Sequence, residues 1–215
     1  MGPEKTFVVG DIHGCLGMLE RLMDIIPWEP SRDRLIFIGD YIDRGEDPRG
    51  VVEYVRRLKK ASHNVLCLMG NHEQMLLDYL SGKDTQTYLL NGGGATLMSY
   101  ERARQHKDDP LIPSAHLEFF SSLLPMVELE NYYVVHAGFR PHIPIESQEL
   151  SDMIWIRNEF LLSNYDFGKV VIFGHTPFNN PLLMDNKIGI DTGAVYGNRL
   201  TCLELPEVRF HSVAP

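Results

Sequence analysis

At 215 residues the chain has the length of one ordinary domain, enough to bury a real core. Hydrophobic residues at 44% and charged residues at 23% sit near the globular average and exclude a disordered, collagen-like or coiled-coil protein. Twenty Lys and Arg against 29 Asp and Glu give a net charge of −9 with no basic block, which argues against nucleic acid and anionic membrane as partners.

In chain order, Thr6–Val9, Asp33–Ile38 and Asn64–Met69 are short apolar runs that read as buried strands. Between them, Leu16–Ile26 and Pro48–Leu58 carry apolar residues at helical spacing. The first 80 residues therefore alternate strand and helix, which implies right-handed crossovers, a parallel sheet and a ligand site at the strands' carboxyl ends. Residues 75–122 are helical and more polar, broken by Asn91-Gly92-Gly93-Gly94, and suggest a cap-like segment within one domain spanning 1–215. Further strands are expected at Met126–Glu130, Tyr132–His136, Lys169–Phe173, Leu182–Asp185, Lys187–Ile190, Leu200–Leu205 and Val208–His211, with a helix near Ser151–Leu162. A two-layered α/β domain with two packed sheets fits this order best.

Cys15, Cys67 and Cys202 are far apart and form no paired motif, so free thiols in a reducing compartment are expected. No apolar run approaches the roughly 18 residues needed to cross a bilayer. We read no secretory signal at the start and expect a cytoplasmic protein of unspecified oligomeric state.

The residues just beyond each strand carry the chemistry. The successive strand ends read Gly10-Asp11-Ile12-His13-Gly14, Gly39-Asp40 through Asp43-Arg44-Gly45, Gly70-Asn71-His72-Glu73, His136-Ala137-Gly138 and Gly174-His175-Thr176. Asp11, Asp40 and Asn71 recur at about the length of one strand-helix-strand unit, roughly 30 residues, so they should land side by side on one sheet edge. Oxygen and imidazole donors without thiolate suit a catalytic site for manganese, iron or zinc better than a structural zinc. Each motif alone is ordinary turn chemistry; five in order are not.

These motifs, in this order, resemble the signature of the phosphoprotein phosphatase family of calcineurin-like metallophosphoesterases. The Asp191-Thr192-Gly193 turn and the small size resemble its bacterial and phage branch, that of lambda phosphatase. Ala137 stands where eukaryotic members carry a glycine. The resemblance implies a two-sheet β-sandwich flanked by helices and two divalent metal ions, manganese foremost, with iron, zinc or nickel as alternatives. Asp11, His13 and Asp40 would hold one ion; Asp40, Asn71, His136 and His175 would hold the other. It further implies metal-activated hydroxide attack on a phosphate monoester, with His72 as general acid, Asp43 as its orienting carboxylate, and Asn71, Arg44 and Arg157 as substrate-binding residues. Arg140 is the rival to Arg157.

The implied substrate is phosphoserine or phosphothreonine in a protein, or a small phosphoester, with a symmetrical dinucleoside polyphosphate hydrolase as the alternative. A non-catalytic metal-binding protein and a nuclease are the weaker readings. His72-Glu73 begins like a zincin motif, but Leu76 stands where its second histidine belongs, so Glu73 is expected to support Arg44 or cap a helix. Tyr196, in the loop after Asp191, is read as a packed aromatic, with a place overhanging the site as the alternative. The cleft is expected to be shallow and served mainly by Arg44 and Arg157.

Overall fold

The computed structural model describes residues 4–215. It opens with β1 (Thr6–Val9), α1 (Leu16–Ile25), β2 (Arg34–Phe37), α2 (Pro48–Ala61) and β3 (Val65–Cys67). A helical stretch comes next: α3 (Asn71–Leu80), α4 (Gln86–Tyr88), a π-helical turn at Leu89–Gly93, α5 (Gly94–Ala103) and α6 (Ser114–Ser121). Then come β4 (Met126–Glu128), β5 (Tyr132–Val135), α7 (Leu150–Trp155), α8 (Asn158–Leu161) and β6 (Val170–Phe173). Two hairpins close the chain, β7 (Leu182–Leu183) with β8 (Lys187–Gly189) and β9 (Leu200–Leu205) with β10 (Arg209–Val213).

The strands form two five-stranded sheets, ordered β10-β9-β1-β2-β3 and β4-β5-β6-β8-β7. β1, β2 and β3 pair in parallel, with Val8 opposite Ile36 and Ile36 opposite Leu66. In the second sheet β5, β6 and β8 are parallel, and β4 and β7 are antiparallel edges. Alternation sorts the side chains. Val8, Ile36, Ile38, Val134, Ile172 and Leu203 fill the space between the sheets, while Phe7, Val9, Leu35 and Phe37 face the helices. Because both faces are covered, the central strands are apolar throughout. The expected helix-flanked sandwich is what the chain forms.

Local chemistry explains the element ends. α2 starts where Asp47 accepts the Gly50 N–H at 2.9 Å and Pro48 takes the first turn, and it ends on Lys59 and Lys60. The stretch expected as one helix near 151–162 is two, broken at Ile156–Arg157, where Arg157 adopts φ −130°, ψ −100°. The carbonyls ending α8 are satisfied by the buried Lys187 ammonium of β8, which donates to Phe160 O at 2.6 Å and Ser163 O at 2.7 Å.

The segment expected to be cap-like is helical but is built into the body. Its Tyr88, Tyr100, Phe119 and Phe120 are buried in the core beneath the first sheet's helices. A side-chain chain ties it to α2: Tyr100 hydroxyl to His116 Nδ1 at 2.7 Å, and His116 Nε2 to Glu53 at 3.0 Å.

Candidate active site

The parallel strands of both sheets end on the same side, and every motif noted in the sequence sits in the turn just beyond such an end. These turns are tight. Seven non-glycine residues among those described have positive φ, and five of them are His13, Asp40, Asp43, Arg44 and His175. Backbone held in that region is costly and concentrates where side chains must be aimed. At Gly39, itself at φ +107°, a Cβ would stand 2.6 Å from Gly70 N, so the second and third motifs can meet only through glycine.

The ring nitrogens are set by their partners. His136 donates from Nδ1 to Ile38 O at 2.9 Å, so Nε2 presents a lone pair 3.0 Å from Asn71 Oδ1 and 3.5 Å from Asp40 Oδ1. His175 Nδ1 lies 2.9 Å from the same Asn71 oxygen, and its Nε2 is buried without any hydrogen-bond partner. His13 bonds Ile42 O through Nδ1 at 2.8 Å and turns Nε2 toward Asp40 Oδ2 at 3.3 Å.

Burial pushes the His136 ring below its ordinary pKa, and His175 falls to about 2 through burial and the neighbouring His136. Burial acts against ionisation of Asp40, but the His136, His72 and His13 rings outweigh it and hold Asp40 well below the usual carboxylate range. Asp11 moves the other way, raised by burial and by Asp191 and Asp40.

Imidazoles, a carboxamide oxygen and crowded carboxylates turned toward one another form a donor set that divalent cations satisfy. Two groups of acidic or imidazole ligand atoms gather within 4.8 Å, His13–Asp40–His72 and Asp40–His136–His175, and Asp40 belongs to both. The resemblance implies a bridging place for Asp40; in the first group His72 stands with His13 and Asp40. Asp11 reaches the same edge, but its carboxylate accepts the His175 N–H at 3.0 and 3.2 Å.

His72 and Asn71 open α3, where Gly70 precedes the helix and Glu73 caps it. His72 Nδ1 lies 2.6 Å from Asp43 Oδ2, and both are buried. Glu73 does not support Arg44. Its carboxylate accepts the N–H groups of Asp40 and Tyr41, each at 2.9 Å, and of Gly70 at 3.1 Å, and so holds the Asp40 turn against α3.

Arg44 Nη1 is 2.7 Å from His13 Nε2, and Arg157 Nη1 donates to His175 O at 3.2 Å and Thr176 Oγ1 at 3.1 Å. The two arginines thus stand on opposite flanks of the histidine cluster. Arg140 is turned away, with its guanidinium spent on Asp152 and Glu159.

Sequence reading missed several contributors. Asp191, buried beside Asp11, appeared only as a turn residue. Tyr196 is not packed away: it is 64% exposed, with the Arg44 guanidinium 5.7 Å from its ring centroid. Tyr88 and Thr96 both reach Asp43, and only the neighbouring glycine run marked that stretch. A cavity of about 490 Å³ opens beside Arg44, lined by Leu16, Met18, Arg21, Glu46 and Val195 among others.

The model of the family described as calcineurin-like phosphoesterase matches residues 5–201. Serine/threonine-protein phosphatase 1 of Salmonella typhimurium is 31% identical over 210 residues, covering 91% of this chain and 89% of its own. A bis(5'-nucleosyl)-tetraphosphatase PrpE, asymmetrical, of Bacillus thuringiensis is 27% identical over 234 residues, covering 97% and 94%. Among solved structures, a candidate diadenosine tetraphosphatase superposes with TM-score 0.76 at 25% identity, covering 99% of this chain and 95% of that one. With the motifs, the sandwich and the shared-carboxylate donor set all in register, the chain belongs to the calcineurin-like phosphoesterase family and is a hydrolase of that metallophosphoesterase type.

Proposed function

We propose that the protein is a cytoplasmic phosphatase acting on phosphate monoesters, with phosphoserine and phosphothreonine in proteins as its substrate class. The observation that carries this reading is the placement of Arg44 and Arg157 on two flanks of a cation-ligand cluster, with the His72–Asp43 pair beside it. The 31% identity to a serine/threonine phosphatase supports it.

Asp11, His13, Asp40, Asn71, His136 and His175 would hold two divalent ions, manganese the first choice. When bound, such ions acidify water at neutral pH and neutralise phosphoryl charge. The chain's own residues do the rest. Arg44 and Arg157 bind and orient phosphoryl oxygens, for which a guanidinium fork is suited. Asn71, whose side chain stands between His136 and His175, would fix one more oxygen. His72, with Nδ1 committed to Asp43, offers Nε2 to protonate the departing alkoxide, and the Asp43 carboxylate stabilises the charged ring.

A second reading, hydrolysis of a dinucleoside polyphosphate, is favoured by the cavity beside Arg44 and by the nucleosyl-tetraphosphatase relatives. Steady-state kinetics under matched metal and pH separates the two. We expect higher kcat/KM on a phosphoseryl peptide than on diadenosine tetraphosphate; a preference for the dinucleotide of about tenfold or more replaces the first reading with the second.

A further inference from the structure

The run Asn91-Gly92-Gly93-Gly94 and the helices around it have a place in the site that the metal ligands and arginines leave unexplained. Asp43 is fully buried and stands at φ +72°, so its carboxylate needs partners for both oxygens. Oδ2 faces His72 Nδ1. Oδ1 accepts from the Tyr88 hydroxyl at 2.9 Å and the Thr96 hydroxyl at 2.6 Å.

Thr96 Oγ1 also accepts the Asp43 backbone N–H at 2.9 Å, which occupies a lone pair and directs the hydroxyl proton to Oδ1. Burial and the nearby Asp43 charge raise the Tyr88 phenol, so it remains a donor. The glycines make room for this. A Cβ at Gly93 would lie 2.5 Å from Tyr88 Cε1, and Gly92, at φ +97°, offers its carbonyl to Arg44 N at 3.3 Å.

We infer that Tyr88 and Thr96 are positioning residues for the acid step: by clamping Asp43 Oδ1 they aim Oδ2 at His72 Nδ1 and keep His72 Nε2 directed at the leaving group. A carboxylate free to turn about its last torsion would hold the ring less firmly and stabilise its protonated form less. The inference rests on the reading of His72 as general acid, and it assigns a role to the 86–96 segment as the back wall of that acid.

The test compares a phosphoseryl peptide, whose alkoxide must be protonated, with p-nitrophenyl phosphate, whose leaving group departs without a proton. His72→Asn sets the scale, with a loss on the peptide of about 10²–10⁴-fold and a clearly smaller loss on the aryl ester. Thr96→Val and Tyr88→Phe are expected to lower kcat on the peptide by about 10- to 100-fold while changing the aryl ester by less than about threefold. Thr96→Ser, which keeps the hydroxyl, is expected to restore the peptide rate. Ser99→Ala, on the same helix but bonded to Asp47 and Arg49, is expected to leave the ratio of the two substrates unchanged.

A readout apart from turnover is the downfield proton resonance of the short His72–Asp43 bond, which should move upfield in Thr96→Val. Losses equal on both substrates, or no loss in variants whose parent shows the His72→Asn split, overturn the inference and leave the acid reading standing. Absence of any split in His72→Asn overturns both. If Thr96→Val does not fold, Tyr88→Phe and Thr96→Ser carry the same comparison.

Discussion

Arg140 and Arg157 show how little a residue's type says about its task. Both follow site motifs at a plausible distance, yet Arg140 lies on the surface with two carboxylates as partners, while Arg157 reaches the carbonyl of His175. Surface ion pairs contribute little, whereas a guanidinium that grips a phosphoryl group contributes to every turnover. Arg157→Ala is therefore expected to lower kcat/KM by about 10- to 100-fold, and Arg140→Ala to change it by less than about twofold. Kinetics on one phosphomonoester checks both. A loss confined to Arg140→Ala would reverse the assignment.

At the scale of elements, the contact between α2 and the helical middle segment adds titratable groups to its apolar packing. Glu53 is opposed by burial, but hydrogen bonds from His116, Arg57 and Arg56 pull its carboxyl down to about 2. Burial lowers the His116 ring, with Glu53 acting against that shift. Both shifts have one sign in their effect on stability. A carboxylate with a depressed folded pKa contributes stability that is present above its unfolded value, near 4.5, and lost as pH falls through about 2. A histidine depressed below 6.5 favours the unfolded state as pH falls below that value.

Acidification should therefore loosen α6 from α2 in two stages. Glu53→Gln is expected to cost about 1–2 kcal/mol at neutral pH and almost nothing near pH 2. Thermal melts of both proteins across pH test this, and parallel curves would refute it. The π-helical turn belongs to this scale as well. The helical pattern around it was readable, but its contact with Arg44 was not, because that contact joins residues far apart in sequence.

In the whole molecule, the candidate ligand cluster draws on both sheets: His13 and Asp40 follow strands of one, His136 and His175 strands of the other. A cation bound there ties the sheets together only in the folded state, so it must stabilise the fold. With ligand near a hundred times its dissociation constant, the gain is about 2.7 kcal/mol, or about 5–10 °C in Tm for a domain of this size. We expect manganese to raise Tm by that amount and a chelator to remove both the rise and the activity. Asn71→Ala or His175→Ala should reduce the rise. Full turnover by protein shown metal-free by elemental analysis would overturn the metal reading.

The order of strands and helices, the two-sheet class and the gathering of the motif residues at one edge were legible in the sequence, because each depends on short-range pattern. Buried strands are continuous apolar runs, and a parallel sheet brings the turns beyond those runs to one edge. The structure alone decided how those residues face one another. It turned Asp11 toward the His175 amide, gave Glu73 to the backbone of the Asp40 turn, released Tyr196 to the surface beside Arg44, and set Tyr88 and Thr96 behind Asp43. Such pairings depend on φ values and close approaches between segments tens of residues apart, and no local periodicity encodes which oxygen of a carboxylate meets which donor.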